Sequence, residues 1–313
     1  MRILAMSGFV PEQICDTIRF TKYTGDRNIS HYCGYAADFI SQVWQDKGID
    51  GAVFPKSCDS TRIMKSYLEG CSKFLFQIHV PSFGAPGALE CFAESIRAYK
   101  EAVEAYYRVK INDINERIDR INHRNASICR AYENIEYLSF ADYLERVHSL
   151  LQNPLMAQED IGDIQAHMPT GRRVFVIGSF LSNLKIAEMI ERVGLTVVGD
   201  TLTESGRLVS MPAICAEGDV YRSIALGVLS QKLSPSQNSF REVLDGCIGE
   251  IRGKSAKGVL FITQKYCEAY DYLYASCKPV LDELGIHSMR IVMTDTEDNR
   301  KAEIALEAFA DML

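Results

Sequence analysis

The sequence predicts an α/β protein: two doubly wound parallel-sheet units of the Rossmann or flavodoxin type, joined by a helical segment. Short apolar runs alternate with segments of helical periodicity in both halves, the pattern of parallel strands linked by crossover helices. Between them, the stretch from Leu89 to about Leu151 reads as almost wholly helical. A chain of 313 residues is also too long for one ordinary core and suits two domains of roughly 150 residues each. We expect an N-terminal α/β domain over 1–165, with its helical linker from about 89, and a C-terminal α/β domain over 166–313.

Arg2 to Met6 reads as the first strand. Cys33 to Lys47 carries apolar residues at helical spacing, with Phe39, Ile40, Val43 and Trp44 in one stripe and Gly48 as the C-cap. Gly51 to Pro55 is a short strand, Ser60 to Leu68 a helix, and Phe74 to Val80 a third strand stopped by Pro81. Charged and amide residues recur through Ile111–Arg130, as in solvated helices that pack on or link domains. Asn153-Pro154 and then Met168-Pro169-Thr170-Gly171 mark the boundary. The second half repeats the scheme. Strands are expected at Arg173–Ile177, Leu195–Val198, Lys257–Thr263 and Ser288–Met293, with helices at Leu184–Val193, Glu268–Glu283 and Lys301–Leu313.

Composition narrows the function. Apolar residues at 47% and charged ones at 24% describe an ordinary globular protein. A net charge of −7 and the absence of any basic run argue against a nucleic-acid partner. The apolar start Met1–Gly8 is too short for a signal peptide, and no stretch reaches the ~20 apolar residues that span a bilayer. A cytoplasmic location without membrane attachment is expected.

In a reducing compartment the ten cysteines are not expected to form structural disulfides. No C-x-x-C pair occurs, so zinc-ribbon, ferredoxin-type and thioredoxin-type sites are poorly supported. Most buried cysteines are simply small hydrophobes. In open parallel sheets, however, ligands bind beyond the carboxyl ends of the strands, and that rule singles out three. Cys58 follows the strand ending at Phe54, Cys267 follows the strand ending near Ile262, and Cys33 opens the amphipathic helix after Ser30-His31-Tyr32. Each sits at a helix N-terminus, where the helix dipole favours thiolate, the metal-binding form. Cys129 lies within the charged helical stretch, Cys71 in a turn, and Cys91, Cys247 and Cys277 in helices. Ligands this far apart in sequence have no periodicity to reveal them, so placement alone leaves the buried-hydrophobe reading open.

The segments around these cysteines resemble those of the 2-hydroxyglutaryl-CoA dehydratase D-component family. Ser7-Gly8-Phe9-Val10-Pro11-Glu12 is similar to the family's opening strand and Pro-Glu turn. Phe54-Pro55-Lys56-Ser57-Cys58-Asp59-Ser60-Thr61-Arg62 resembles its Cys-Asp motif, the most specific of the set. His79-Val80-Pro81, Gly178-Ser179, Val197-Val198-Gly199-Asp200 with Gly206-Arg207, Gln264-Lys265-Tyr266-Cys267 and Ala308–Leu313 resemble further family segments in the family's order. Three departures stand beside them. Family subunits generally extend further at the N-terminus, so a helical extension shaping the substrate side is expected to be lacking. Ile304-Ala305 replaces a usual Thr-Arg pair, and the Glu that often follows the family's last strand is not evident around Met293-Thr294-Asp295.

The resemblance implies a [4Fe–4S] cluster held by Cys33, Cys58 and Cys267, with one iron left open for a water or substrate oxygen. It implies elimination of water from an (R)-2-hydroxyacyl-CoA. One low-potential electron reaches the thioester carbonyl, and the resulting ketyl radical anion expels the 2-hydroxyl group. Partners would be a related subunit in a homo- or heterodimer and an ATP-hydrolysing iron–sulfur activator, since no P-loop is present. Ser57, Asp59 and His31 flank the ligands and are the expected catalytic residues, orienting substrate, tuning the cluster or moving protons. The plainer readings are that Ser57 and Asp59 cap a helix, that His31 is a surface-loop histidine, and that Glu268 is only a first-turn carboxylate. Arg207 would pair with a phosphate or carboxylate, or make a structural ion pair. Two other functions stay open: a non-catalytic companion subunit, and an ATP-dependent reductase with a double-cubane cluster, for which Cys71 or Cys91 are the nearby extra ligands.

Overall fold

The computed structural model describes residues 1–6, 8–20, 32–153, 160–293 and 299–313. Strands β1 (Ile3–Ala5), β2 (Thr17–Arg19), β3 (Gly51–Lys56) and β4 (Phe74–His79) form a parallel sheet in the order β2-β1-β3-β4. Strands β5 (Arg173–Gly178), β6 (Thr196–Asp200), β7 (Gly258–Gln264) and β8 (His287–Met293) form a second one in the order β6-β5-β7-β8. The two orders are the same, so each sheet turns back on itself between its first and third strands. This is the expected doubly wound α/β architecture, twice over.

Strand alternation decides which helices cover which face. In the first sheet Leu4, Ala52 and Phe54 point to one side, where α1 (Gly34–Gln45) and α2 (Asp59–Tyr67) pack through Phe39, Ile40, Val43 and Met64. Ile3, Ala5 and Val53 point to the other, under α3 (Ala88–Tyr107) and α4 (Ile114–Tyr132). In the second sheet Phe175, Ile177, Val259 and Phe261 meet α9 (Phe240–Gly253) and α10 (Glu268–Glu283). Val174, Val176, Leu260 and Ile262 meet α5 (Phe140–Gln152), α6 (Leu184–Arg192) and α11 (Asn299–Met312).

The packing crosses between the two halves. α8 (Val220–Leu229) sends Ile224, Ala225 and Val228 into the core of the first sheet. Residues Ile128 to Leu151 feed the core of the second, past a 3-10 turn at Ile135–Tyr137. This exchange fixes the two sheets against each other. Among the described residues no helix is long and apolar enough to cross a membrane.

Two sequence expectations change. Trp44 does not join the buried stripe; it is 46% exposed and its Nε1–H donates to the Tyr67 carbonyl at 3.2 Å. It follows Val43 on the helix, and a step of 100° per residue carries it past the apolar arc. Strand β2 and helices α7 (Gly206–Val209), α8 and α9 are not delimited by the sequence pattern. Thr-Ile-Arg in β2 offers only one aliphatic residue, and α7 is barely one turn.

Candidate functional site

The reversal of strand order places a crevice at the carboxyl ends of β1 and β3 in one sheet and of β5 and β7 in the other. Both crevices open on one cavity of about 110 Å³. Gly8 beyond β1, Ser57 and Cys58 beyond β3, Phe180 beyond β5, and Cys267 beyond β7 all line it. Cys33 completes the set, so the three sequence-selected cysteines share this cavity.

Each of them is the N-cap of a helix: Cys33 of α1, Cys58 of α2 and Cys267 of α10. Three positive helix ends therefore converge on the cavity. The Cys58 loop is held by Thr61, whose hydroxyl accepts the amides of Ser57 at 3.1 Å and Cys58 at 3.0 Å. The Thr61 hydroxyl also lies 3.5 Å from the Cys58 Sγ. Tyr266, just before Cys267, has a left-handed backbone at φ 62°, a conformation that costs a non-glycine residue about 1–3 kcal/mol. That turn ends β7 and starts α10 with Cys267 facing the cavity.

The loops are tied across the two halves. The Gly34 amide donates to the Lys265 carbonyl at 3.1 Å, and Gln237 Nε2 donates to the Ser57 carbonyl at 2.8 Å. Tyr35 packs on Phe180 with ring centroids 5.0 Å apart, and His148 also stacks on Phe180, at 5.2 Å. Gln264 Nε2, at the end of β7, donates to the Phe180 carbonyl at 3.1 Å.

Electrostatics at the thiols is dominated by their own proximity and burial. The Cys267 thiol is pushed well up, first by its hydrogen bond with Cys33, then by burial, then by charge on Cys33 and Cys58. Burial likewise pushes the Cys58 thiol up, with Cys33 adding to it and Thr61 opposing. Thiols so placed are poor nucleophiles at neutral pH. A bound metal, in contrast, deprotonates a coordinating thiol outright.

The opposite wall is built on Asp200, fully buried at the end of β6. Its carboxylate accepts the amides of Leu202 and Gly206, each at 2.8 Å, and the Ser205 hydroxyl at 2.7 Å. A Cβ on Gly206 would lie 1.9 Å from the Asp200 carbonyl oxygen, so only glycine fits. This turn presents the next residue, Arg207, to the cavity. Gly8 also needs to be glycine, with φ 114° and a Cβ position 3.2 Å from Thr203 Cγ2.

Of the expected catalytic residues, Ser57 is buried and lines the cavity. Asp59 does not line it: its side chain is 82% exposed and pairs with Arg62 at 3.3 Å. His31 lies outside the described residues. Glu268 is exposed. Cys71 and Cys91 are not part of the lining. Residues of the wall that the sequence does not single out include Tyr35, Phe180, Ser234, Ser236 and Tyr270. Tyr35 and Tyr270 sit in the first turns of α1 and α10, the others in loops with no motif, and only the packing of the two halves brings them together.

Among the described residues, no three His, Cys, Asp or Glu side chains cluster so as to hold a metal ion. A four-iron cluster makes a different demand, because each cysteine sulfur binds a different iron. Three cysteines from three separate helix ends, around one cavity with partly exposed sulfur-bearing side chains, fit that demand.

The sequence model of the family described as 2-hydroxyglutaryl-CoA dehydratase, D-component, matches residues 2–313. The chain is also 21% identical, over 224 residues, to the (R)-phenyllactyl-CoA dehydratase beta subunit of Clostridium sporogenes. That alignment covers 68% of this chain and 56% of the relative, so the chain spans little more than half of the relative's length. With a match over essentially its whole length, this chain belongs to the 2-hydroxyglutaryl-CoA dehydratase D-component family.

Proposed function

We propose that this chain is an iron–sulfur subunit of a 2-hydroxyacyl-CoA dehydratase, with Cys33, Cys58 and Cys267 as the ligands of a [4Fe–4S] cluster. The observation that carries the reading is the meeting of these three helix-capping cysteines in one cavity at both sheet switch points. When bound, such a cluster supplies one-electron transfer and an iron with an open coordination position. The reaction is the loss of water from an (R)-2-hydroxyacyl-CoA through a ketyl radical anion, after one-electron activation by an ATP-hydrolysing partner.

The chain's own residues supply the surroundings. The helix ends of α1, α2 and α10 favour negative charge at the cysteines. Phe9, Phe180 and Tyr35 give the cavity an aromatic lining, and Ser57 offers a hydroxyl beside Cys58 for orienting a polar group. The cavity, at about 110 Å³, is smaller than the ~300 Å³ at which pockets for organic ligands begin. The acyl-CoA is therefore expected to lie mostly outside it, against a related subunit in a dimer.

The test is an anaerobic assay of this protein with an activator, ATP and a strong reductant, alone and with a partner subunit. (R)-Phenyllactyl-CoA and (R)-2-hydroxyglutaryl-CoA are the first substrates, and mass spectrometry reads the loss of water. Turnover by this chain alone or in the pair, abolished by Cys58→Ala, supports the reading. Turnover by the pair that persists in Cys58→Ala and Cys267→Ala makes this chain a companion subunit without catalytic chemistry.

A further inference from the structure

Arg207 is 2% exposed and lines the same cavity as the three cysteines. Its guanidinium is fixed on three sides. Nε donates to the Lys232 carbonyl at 3.0 Å, Nη2 donates to the Gln231 Oε1 at 3.3 Å, and the group stacks over the Phe9 ring at 4.8 Å. All three contacts are neutral. Among the described residues no carboxylate forms an ion pair with Arg207, although Asp200 and Glu204 are close in sequence. The Asp200 carboxylate is taken by Leu202, Gly206 and Ser205. Glu204 accepts the Leu181 amide at 2.8 Å and faces His148 at 3.6 Å.

The remaining nitrogen, Nη1, points toward Gly8, 3.9 Å from where a Cβ there would stand. Gly8 is itself a lining residue. A buried, unpaired cation of this kind is costly unless an anion completes it. The cavity leaves room for a compact anion, not for a cluster and an acyl chain together.

We propose that Arg207 is the built-in counter-cation of the thiolate-held iron–sulfur cluster, a positioning and potential-setting residue rather than a ligand. This rests on the reading of Cys33, Cys58 and Cys267 as cluster ligands. A cluster on three thiolates is anionic, and it becomes more so on accepting one electron. A fixed positive charge in a low-dielectric cavity stabilises the reduced form more than the oxidised one. Arg207 therefore raises the midpoint potential.

The experiment is an EPR-monitored redox titration of the anaerobically reconstituted full chain, with iron content measured in parallel and dithionite or Ti(III) as the one-electron donor. Four variants are compared with wild type. Arg207→Gln removes the charge. Arg207→Lys keeps it. Gln231→Glu is isosteric, leaves Arg207 in place and sets a carboxylate against Nη2, cancelling the charge even if Arg207→Gln fails to fold. Lys278→Gln, on the exposed face of α10, controls for remote charge.

The expected result is a shift to lower potential in Gln231→Glu and Arg207→Gln, with a smaller shift in Arg207→Lys and none in Lys278→Gln. Midpoints in Gln231→Glu and Arg207→Gln that coincide with wild type at full iron loading overturn the proposal while leaving the cluster reading intact. A shift in Lys278→Gln as large as theirs also overturns it. A wild-type chain that takes up no cluster overturns the cluster reading itself and this inference with it.

Discussion

The Gly34 amide donates to the Lys265 carbonyl at 3.1 Å, so the residue after Cys33 is bonded by backbone to the residue two before Cys267. This one bond ties the start of α1, in the first sheet's unit, to the turn that starts α10 in the second. It accounts for the thiol contact between Cys33 and Cys267. The loops that carry the site thus add to the exchanged helices in aligning the two halves, and weakening those loops should loosen fold and site together.

Gln237 tests that coupling. Its side chain donates to the Ser57 carbonyl across the two halves at 2.8 Å, in a buried position. Gln237→Ala leaves that carbonyl unpaired and should cost about 1–3 kcal/mol. Chemical denaturation measures the loss, and iron uptake should fall with it. An unchanged midpoint would mean that the bond contributes nothing to the docking of the halves.

The fold was largely legible from the sequence, and the site only in part. Runs such as Val174–Ile177 and Val259–Ile262 are buried on both faces, so they read as continuous apolar strands. Thr17–Arg19 carries no such run, so its pairing with β1 shows only in three dimensions. Cys58 and Cys267 were legible because they follow strands and precede helices. Asp59 was not, because a position in the first turn does not say whether a carboxylate faces the cavity or solvent. The wall made by Phe180, Ser234, Ser236 and Tyr270 was invisible, since it depends on how two separately patterned units dock.

Glu12 anchors the loop after β1 to the helical segment. It accepts from Arg124 at 2.7 and 2.9 Å and from Arg19 at 2.8 Å. Burial alone would push its carboxyl up, but the two guanidinium groups outweigh burial and hold it well below the usual range. A carboxyl lowered on folding stabilises the protein above its unfolded pKa of about 4.3, and that stability is lost as pH falls further. Glu12→Gln should cost about 3–5 kcal/mol at pH 7, because it leaves buried guanidinium charge uncompensated. The same variant should flatten the decline below pH 4.3, as followed by urea denaturation across the acid range. An equally steep acid limb in the variant would assign that decline to other groups.

Tyr266 isolates the strained turn before Cys267. With φ at 62°, Tyr266→Gly removes strain of about 1–3 kcal/mol and adds about 0.5–1 kcal/mol of chain entropy cost. Stability should hold or rise slightly. Tyr266→Val, β-branched and ill suited to this region, should lose about 1 kcal/mol or more. Equal stabilities for the two variants would show that the backbone relaxes there.

The central claim is that Cys33, Cys58 and Cys267 together hold a cluster. Iron and sulfide content after anaerobic purification and reconstitution, with absorbance and EPR spectra, tests it most directly in wild type and in the three single Cys→Ala variants. About four irons per chain are expected in wild type, lost or sharply reduced in each variant, with Cys71→Ala and Cys91→Ala unaffected. Full iron loading in all three variants, or none in wild type after reconstitution, would contradict it.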